Sequence, residues 1–248
     1  TVSQLMNVAS AIAFAASMTL LSATAAEFTV SPLRADLSPA DKSASITVAN
    51  TGRETFGMQV VVRRWTQNAE GVDVFEDSND LVSFPKRFDI APGARRVVRV
   101  GTNKPAAEAE TAYRIFLEEL PPITAPGAEE DSKVAVLVTF AVPVFVRPSR
   151  PAPMGEIEAF DIAGGKATIR LRNSGNQTLL VDNLEFSSEG VTSDDFNSWY
   201  LLPGGTRTYT AKVPPEACAT GKLEVIVRLR GAAPAKRETQ VSAAQCTG

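Results

Sequence analysis

The stretch from Val134 to Pro148, VAVLVTFAVPVFVRP, most constrains the fold of this chain. Alternate positions in it are apolar, as one buried face of a β-strand requires, and most positions between them are apolar too. A strand with two apolar faces needs other residues packed against both of them. Pro143 has no N–H to donate to a neighbouring strand, which predicts an edge or a bulge. The stretch therefore predicts either an edge strand that docks with a partner or a well-covered sandwich strand with one irregularity.

Short segments rich in Val, Ile, Thr and aromatic residues run from Phe28 onward, and turn residues separate them. They predict β-strands, because helical periodicity is hard to find in them. Residues 148–153, PSRPAP, predict a semi-rigid linker, since prolines enter a strand ladder poorly. We therefore expect an all-β chain with two sandwich domains in tandem, at 27–148 and 154–248, joined by a linker at 149–153.

Two short patterns recur in the same order in both halves of the chain. Ile46–Gly52 reads ITVANTG and Ile169–Gly175 reads IRLRNSG, so each is an alternating strand that ends in a turn. A Pro-Gly pair then precedes a later strand, at 92–93 in the first half and at 203–204 in the second. Two matches in the same order predict two sandwiches of similar topology.

The segment from Met6 to Ala26 contains no charged residue and ends in small residues. This pattern predicts a secretory signal peptide at 1–26, cleaved before Ala26 or Glu27. A membrane anchor is the alternative, but the apolar stretch is at the short end for a bilayer span. We therefore expect an exported protein.

Cys218 and Cys246 are the two cysteines of the chain, and both lie near its C-terminus. In an exported chain, such a pair favours a disulfide. Free or metal-binding thiols are the alternative. That alternative is weak, because the chain has neither a second cysteine pair nor a histidine.

The absence of histidine excludes a Ser-His-Asp triad, a Cys-His pair and the commonest zinc sites. A formal net charge of -3 and a sequence pI near 5.2 argue against a nucleic-acid binder, which needs a basic surface. We expect no catalytic residues, no metal and no cofactor. A hydrolase that works through paired carboxylates is the remaining enzymatic alternative.

Three stretches of the first half, SPLRADLSPADKSASITVANTG, AYRIFLEELPP and VPVFVRP, carry a resemblance to a known family. The chain resembles the periplasmic pilus-assembly chaperones of chaperone-usher systems, the PapD-like family, from about Phe28 to Pro148. From Pro153 to Gly248 the resemblance is only architectural. Pro143 and the AYR triplet are more similar to the archaic branch of the family.

The resemblance implies two immunoglobulin-like domains set in an L, with a basic cleft between them. Such a chaperone acts in the periplasm without ATP or a cofactor, binds a pilin-like subunit, and delivers it to an outer-membrane usher. It lends the subunit its last strand by donor-strand complementation, in which backbone bonds supply affinity and alternate side chains fill pockets. The alternative function is that of a structural or adhesive surface protein whose apolar strand is never lent out.

Carried over by position, the resemblance places Val134, Val136, Val138 and Phe140 where the donor strand fills the groove of a subunit. β-Branched residues at every second position of an uncovered edge suit that task. The alternative is that these residues line the domain's own core. An exposed apolar row on an edge also predicts weak self-association.

Arg34, expected in the first strand, stands where the family keeps an arginine that grips the C-terminal carboxylate of the subunit. A guanidinium suits this role because its planar fork binds a carboxylate bidentately. The family's second anchor is a lysine at the position held here by Pro143, so we expect Arg114 to replace it. The alternative for both arginines is a solvent-facing strand position with a surface partner.

Overall fold

The computed structural model describes residues 27–121, 136–194 and 199–246. Its strands form four sheets, two in each of two sandwiches, so the all-β prediction is confirmed. The signal peptide predicted at 1–26 and the groove residue Val134 lie outside the described residues. Within the described part of the chain, no helix has the length and apolarity that a membrane crossing requires.

The first sandwich contains strands β1 to β10 in chain order. They are β1 (Phe28–Ser31), β2 (Ala35–Leu37), β3 (Ser43–Asn50), β4 (Phe56–Gln67), β5 (Asp73–Asp77), β6 (Val82–Phe84), β7 (Arg87–Ile90), β8 (Arg95–Gly101), β9 (Thr111–Glu119) and β10 (Thr139–Val146). One sheet has the strand order β1-β3-β8-β6, and the other has the order β2-β10-β9-β4-β5, with β7 also beside β4. Neighbouring strands are antiparallel, except that β10 runs parallel to β2.

Alternating apolar residues decide which face of each strand is buried in the first sandwich. Ile46 and Val48, two positions apart on β3, have no exposed surface. Met58, Ile115 and Val144 face them from the other sheet and are equally buried. Burying one such side chain stabilises the fold by about 1.5 to 3 kcal/mol.

The chain crosses from one sheet to the other between β1 and β2, which belong to opposite sheets. Arg34 was expected within the first strand, but it lies in this crossing segment, directly before β2. The sequence pattern around Arg34 is extended throughout, so it does not reveal where the chain changes its pairing partner. The crossing places Arg34 beside β10, the neighbour of β2.

The second sandwich contains the remaining strands and two short helices. They are β11 (Gly155–Ala163), β12 (Lys166–Asn173), β13 (Leu179–Phe186), β14 (Thr192–Asp194), β15 (Tyr200–Leu201), β16 (Thr206–Lys212), a 3-10 helix (Pro215–Cys218), β17 (Lys222–Arg230), β18 (Ala235–Gln240) and α1 (Ala243–Cys246). The two sheets have the orders β11-β12-β16-β14 and β15-β13-β17-β18. β12 alternates strictly between exposed and buried residues, and Ala167, Ile169 and Leu171 have no exposed surface.

Cys218 and Cys246 are joined in a disulfide, as predicted, with 28 residues of sequence separation. Both are almost fully buried, and the described residues include no free cysteine. The bond ties α1 to the 3-10 helix. On the chain-entropy model, closing a loop of this length stabilises the fold by roughly 3 to 4 kcal/mol.

The first of the two repeated patterns is organised by Asn50, which is 2% exposed. Its side-chain amide donates to the carbonyl oxygens of Glu54 and Ile90, at 2.7 and 2.9 Å. Its side-chain oxygen accepts from the amide of Gly52, and its own carbonyl accepts from the amide of Gly93. The Asn-Thr-Gly turn and the Pro-Gly turn are therefore held together by one buried side chain.

The second pattern repeats these bonds at Asn173, which has no exposed surface. Its amide donates to the carbonyl oxygens of Gln177 and Leu201, each at 2.8 Å. Its side-chain oxygen accepts from Gly175, and its backbone carbonyl accepts from Gly204. The prediction that the two halves share a topology is supported at this level of atomic detail.

β10 spans Thr139–Val146 and is therefore shorter than the strand predicted over Val134–Pro148. The last backbone bond to β9 runs from the amide of Glu119 to the carbonyl of Val138, at 3.0 Å. Beyond Glu119 the chain soon reaches Pro121, which has no N–H to continue the ladder. The apolar pattern thus extends further than its pairing partner does.

Candidate functional site

β10 has an open edge along its first half. It pairs with β9 over its whole length, but β2 pairs only with Val144–Val146. Within the described ranges, no strand pairs with Thr139–Pro143 on that side. Unpaired backbone N–H and C=O groups are a template for another strand, and an edge is also where a proline such as Pro143 is tolerated.

The apolar row that leads into β10 changes from exposed to buried along the chain. Val136 is 48% exposed, and Val138 is partly buried. Phe140 packs partly against the core of its own sandwich, and Val142 is fully buried in that core. In the free chain, Phe140 therefore contacts the core of its own domain, which was the alternative prediction for this row. Val136 remains accessible to a partner.

The outer face of this sheet carries a row of side chains that meets the second sandwich. Cross-strand pairing aligns Asp36, Phe145, Ala112, Trp65 and Phe75. Within this row, Trp65 and Phe145 are buried against the second sandwich. The ring of Tyr200 lies 5.5 Å from that of Trp65 and 5.4 Å from that of Phe145. Trp65, Phe145, Trp199, Tyr200 and Leu202 form what we call the junction cluster.

Arg34 stacks on the junction cluster and pairs with Asp36. Its Cζ lies 4.4 Å from the ring centroid of Phe145, and its Nε and Nη2 donate to the two carboxylate oxygens of Asp36 at 3.0 and 2.7 Å. Burial opposes the charge, but the bond to Asp36 and its negative charge raise the pKa of Arg34 above the ordinary value. The side chain is 35% exposed, so it stays charged and accessible.

Asp36 also binds a second arginine. The Nη2 atom of Arg147 lies 3.2 Å from the Oδ1 atom of Asp36, and the Arg147 side chain is 42% exposed. Burial acts to raise the pKa of Asp36, but the hydrogen bonds and charges of Arg34 and Arg147 hold it below the usual range. Asp36 therefore remains ionised between two guanidinium groups.

Arg114 lies deeper in the junction, on β9, and is only 7% exposed. Its Cζ is 4.1 Å from the ring centroid of Trp65 and 5.4 Å from that of Trp199. Among the residues that the structure describes, it forms no ion pair, although the charge of Asp73 acts on it. Burial lowers the pKa of Arg114 below its usual value. The solvent-facing alternative is therefore wrong for Arg114.

The two predicted anchors meet at one aromatic side chain. The Cζ atoms of Arg34 and Arg114 each lie 5.9 Å from the ring centroid of Tyr200. Arg114 also pairs in register with Pro143 on the neighbouring strand. The structure thus places the guanidinium-bearing strand directly beside Pro143.

Hydrogen bonds across the junction fix the aromatic rings around Arg114. Gln67 donates to the carbonyl of Tyr200 at 2.9 Å and accepts from the amide of Leu202 at 2.9 Å. The indole N–H of Trp199 donates to Asp73 at 2.9 Å. These bonds connect the β4–β5 hairpin to the second sandwich.

Glu110 forms a further connection between the two sandwiches. Its amide donates to the carbonyl of Asn176 at 2.8 Å, and its carboxylate accepts from the amide of Thr178 at 3.0 Å. Glu110 is 5% exposed. Burial raises the pKa of Glu110, against the opposing effects of the Thr178 bonds and the charge of Arg34.

A cavity of about 530 Å³ opens at the same junction. Its lining includes Trp65, Gln67, Glu110, Arg170 and Arg172, and neither predicted anchor lines it. In the described ranges, no cluster of three or more His, Cys, Asp or Glu residues could hold a metal ion.

Asp36 and the junction cluster were not predicted from the sequence. The spacing of Arg34 and Asp36, two residues apart, places both on one face of an extended segment and could have identified the pair. For Trp65, Trp199 and Tyr200 no local signal exists, because their proximity depends on how the two sandwiches pack.

A sequence model for pili and flagellar-assembly chaperones, that of the PapD N-terminal domain, matches residues 27–152. The chain belongs to this family. The resemblance seen in its sequence motifs is thereby confirmed. Among curated proteins, no sequence matches this pilus-chaperone family member.

Solved structures of fimbrial chaperone systems share the fold of this family member. A structure of the CsuC-CsuE chaperone-tip adhesion subunit pre-assembly complex from Acinetobacter baumannii matches with a TM-score of 0.59 and 18% identity, over 86% of this chain and 98% of the other. The E. coli chaperone DraB matches with a TM-score of 0.54 and 16% identity, over 88% and 100%. The Salmonella enterica SafA pilin with the SafB chaperone matches with 0.54 and 14%, over 85% and 95%.

Proposed function

We propose that this protein is a periplasmic, non-enzymatic chaperone for pilin-like subunits. It binds a subunit by lending it the open edge of β10, stabilises it, and delivers it to an outer-membrane usher. The observation that carries the proposal is the edge at Thr139–Pro143, with which no strand among the described residues pairs on one side. The accessible apolar residue Val136 precedes this edge in the chain. Backbone bonds along that edge supply affinity, and alternate side chains supply specificity.

The guanidinium groups near the end of this edge complete the proposed binding site. Arg34 is accessible and charged, and Arg114 has no ionic partner among the described residues. The aromatic rings compensate only part of the lost hydration of this buried cation, and the terminal carboxylate of a bound subunit would supply an ionic partner. We therefore propose that Arg34 and Arg114 anchor that carboxylate.

Two of the matched structures, which contain other proteins, support this proposal. The A. baumannii structure is a complex of a chaperone with a tip adhesion subunit, and the S. enterica structure is a pilin in complex with its chaperone. At their identities to this chain, the likeness concerns the fold. The open edge and the arginines of this chain supply the rest of the argument.

Co-expression with small exported proteins encoded near this gene tests subunit binding directly. The tagged chain is purified from the periplasm, and proteins that co-purify are identified. We expect a stoichiometric complex with a protein that lacks one strand of its own sandwich. If no such protein is retained, while the purified chain is folded, the protein is instead a structural or adhesive one.

Localisation and delivery need separate measurements. N-terminal sequencing of the protein from a periplasmic fraction is expected to begin at Ala26 or Glu27. Deleting the gene should leave the usher in the outer membrane but abolish the surface fibre. A fibre that assembles normally without this protein contradicts the delivery step, even if subunit binding holds.

A further inference from the structure

Asp36 lies between two guanidinium groups at the crossing from β1 to β2. Its carboxylate accepts from Nε and Nη2 of Arg34 at 3.0 and 2.7 Å, and Nη2 of Arg147 is 3.2 Å away. The side chain of Asp36 is 28% exposed. The carboxylate is therefore engaged on several sides by groups of the chain itself.

We propose that Asp36 is a positioning residue, which holds one edge of the Arg34 guanidinium so that its other edge meets the terminal carboxylate of a subunit. The inference rests on the proposed function. A guanidinium carries five N–H donors in a planar fork. Asp36 occupies the edge formed by Nε and Nη2. Among the described residues, no hydrogen bond or ion pair occupies the edge formed by Nη1 and the second hydrogen of Nη2, so this edge can meet another carboxylate.

Phe145 fixes the plane of the same guanidinium. The Cζ of Arg34 lies 4.4 Å from the ring centroid of Phe145, which has no exposed surface and pairs in register with Asp36. A fixed ring beneath and a bidentate partner at one edge together leave Arg34 little rotational freedom. A donor that is oriented in advance loses less entropy when it binds.

Asp36 neutralises only part of the positive charge at this site. It carries one negative charge against the positive charges of Arg34 and Arg147, and Arg114 adds a further cation at the ring of Tyr200. The site therefore still attracts the carboxylate that ends a pilin-like chain, although the charge of Glu110 also acts on Arg34. Arg147 in turn restrains Asp36, because it contacts the Oδ1 atom that also accepts from Nη2 of Arg34, so Asp36 cannot follow Arg34 into a different rotamer without losing a bond.

A competing role for Asp36 predicts a change of the opposite sign. If Asp36 only competed with the subunit for Arg34, neutralising it would add positive charge to the site and tighten binding. If Asp36 positions Arg34, neutralising it weakens binding because the bidentate contact is lost. The substitution Asp36→Asn preserves the shape of the side chain and separates the two cases.

The experiment uses the full chain and the subunit retained in the co-expression assay, with two forms of that subunit. One form has its native C-terminus, and the other carries two additional glycines that move the carboxylate. We expect Asp36→Asn to weaken binding of the native form by roughly tenfold and to change binding of the extended form little. Asp36→Glu should recover part of the loss. Asp41→Asn makes the same charge change at an exposed aspartate and should have no effect.

A double-mutant comparison separates positioning from a purely structural role. In an Arg34→Ala background, Asp36→Asn should cause no further loss, because the group it positions is gone. An equal loss in both backgrounds, an equal loss for both subunit forms, or tighter binding overturns the inference. If the unaltered chain retains no subunit, the proposed function itself fails. If it retains one and Asp36→Asn binds it equally well, only the role of Asp36 fails.

Discussion

At the scale of single residues, the two predicted anchors differ in burial, and this difference determines how each can be tested. Arg34 is partly exposed and has Asp36 as its partner, whereas Arg114 is buried on aromatic rings. A partly exposed ion pair contributes about 0 to 1 kcal/mol to stability. A desolvated guanidinium on an indole contributes about 2 kcal/mol.

We therefore expect Arg34→Ala to weaken subunit binding by roughly tenfold or more with little change in melting temperature. Arg114→Ala should weaken binding and also lower the free energy of unfolding by about 1 to 3 kcal/mol, because packing on Trp65 is lost. Subunit titration and urea denaturation measure the two effects. Arg150→Ala, at an exposed arginine, is the control. Unchanged binding in Arg34→Ala would falsify its role as an anchor.

Glu110 is a second residue whose burial has a measurable consequence. Its raised pKa means that the folded state binds the proton more tightly than the unfolded state does. The associated stability is present below the ordinary pKa of 4.5 and is lost as the pH rises through the higher folded-state value. The neighbouring charges of Arg34 and Asp36 act in opposite directions.

Glu110→Gln should remove this pH dependence. We expect the variant to lose less stability than the unaltered chain as the pH rises from 4 toward 7, and Gln can still accept the bond from the Thr178 amide. Melting temperatures measured across this range test the expectation. The prediction is contradicted if the two proteins lose stability in parallel.

At the scale of elements, the apolar segment that contains β10 is accessible before the strand begins and buried in the later part of the strand. Val136 is 48% exposed, but Val142 and Val144 are fully buried. The division follows the pairing, because β2 and the core cover only the later residues. The same apolar pattern is therefore accessible at one end of the segment and packed into this chain's own core at the other.

Val136→Asp should reduce subunit binding strongly, by several kcal/mol if the side chain fills a groove, because the charge would be buried without a partner. The melting temperature of the free protein should change little. Val97→Asp is a matched control, since Val97 is 49% exposed and lies on the other sheet. A large fall in melting temperature with binding retained shows that Val136 belongs to the domain's own core.

The repeated turns at Asn50 and Asn173 are the other structural feature at this scale. Asn50 and Asn173 each bond two carbonyl oxygens and join two turns of their sandwich. We expect Asn50→Ala and Asn173→Ala each to lower the free energy of unfolding by about 2 to 3 kcal/mol, since buried partners would be left unsatisfied. Asn68→Ala, at an exposed turn where the side-chain oxygen accepts from two backbone amides, should cost less than about 1 kcal/mol. Equal costs at all three sites argue against the importance of burial.

At the scale of the whole molecule, the site exists only because two sandwiches meet. The rings that enclose Arg114 come from both of them, and Gln67, Asp73 and Glu110 connect the two by hydrogen bonds. Neither half of the chain contains the complete aromatic environment. We therefore expect subunit binding and junction packing to be coupled.

The sequence by itself determined the all-β class, the repeated turns, the disulfide partners and the family. These depend on alternation within a strand, on residues close together in turns, and on short motifs. Only the tertiary structure decided that Arg34 lies at a sheet crossing, that Arg114 is buried, that Phe140 contacts its own core and that Asp36 joins two arginines. Those features depend on strand register and on the packing of distant segments, because a strand pattern specifies which face is apolar but not what covers it.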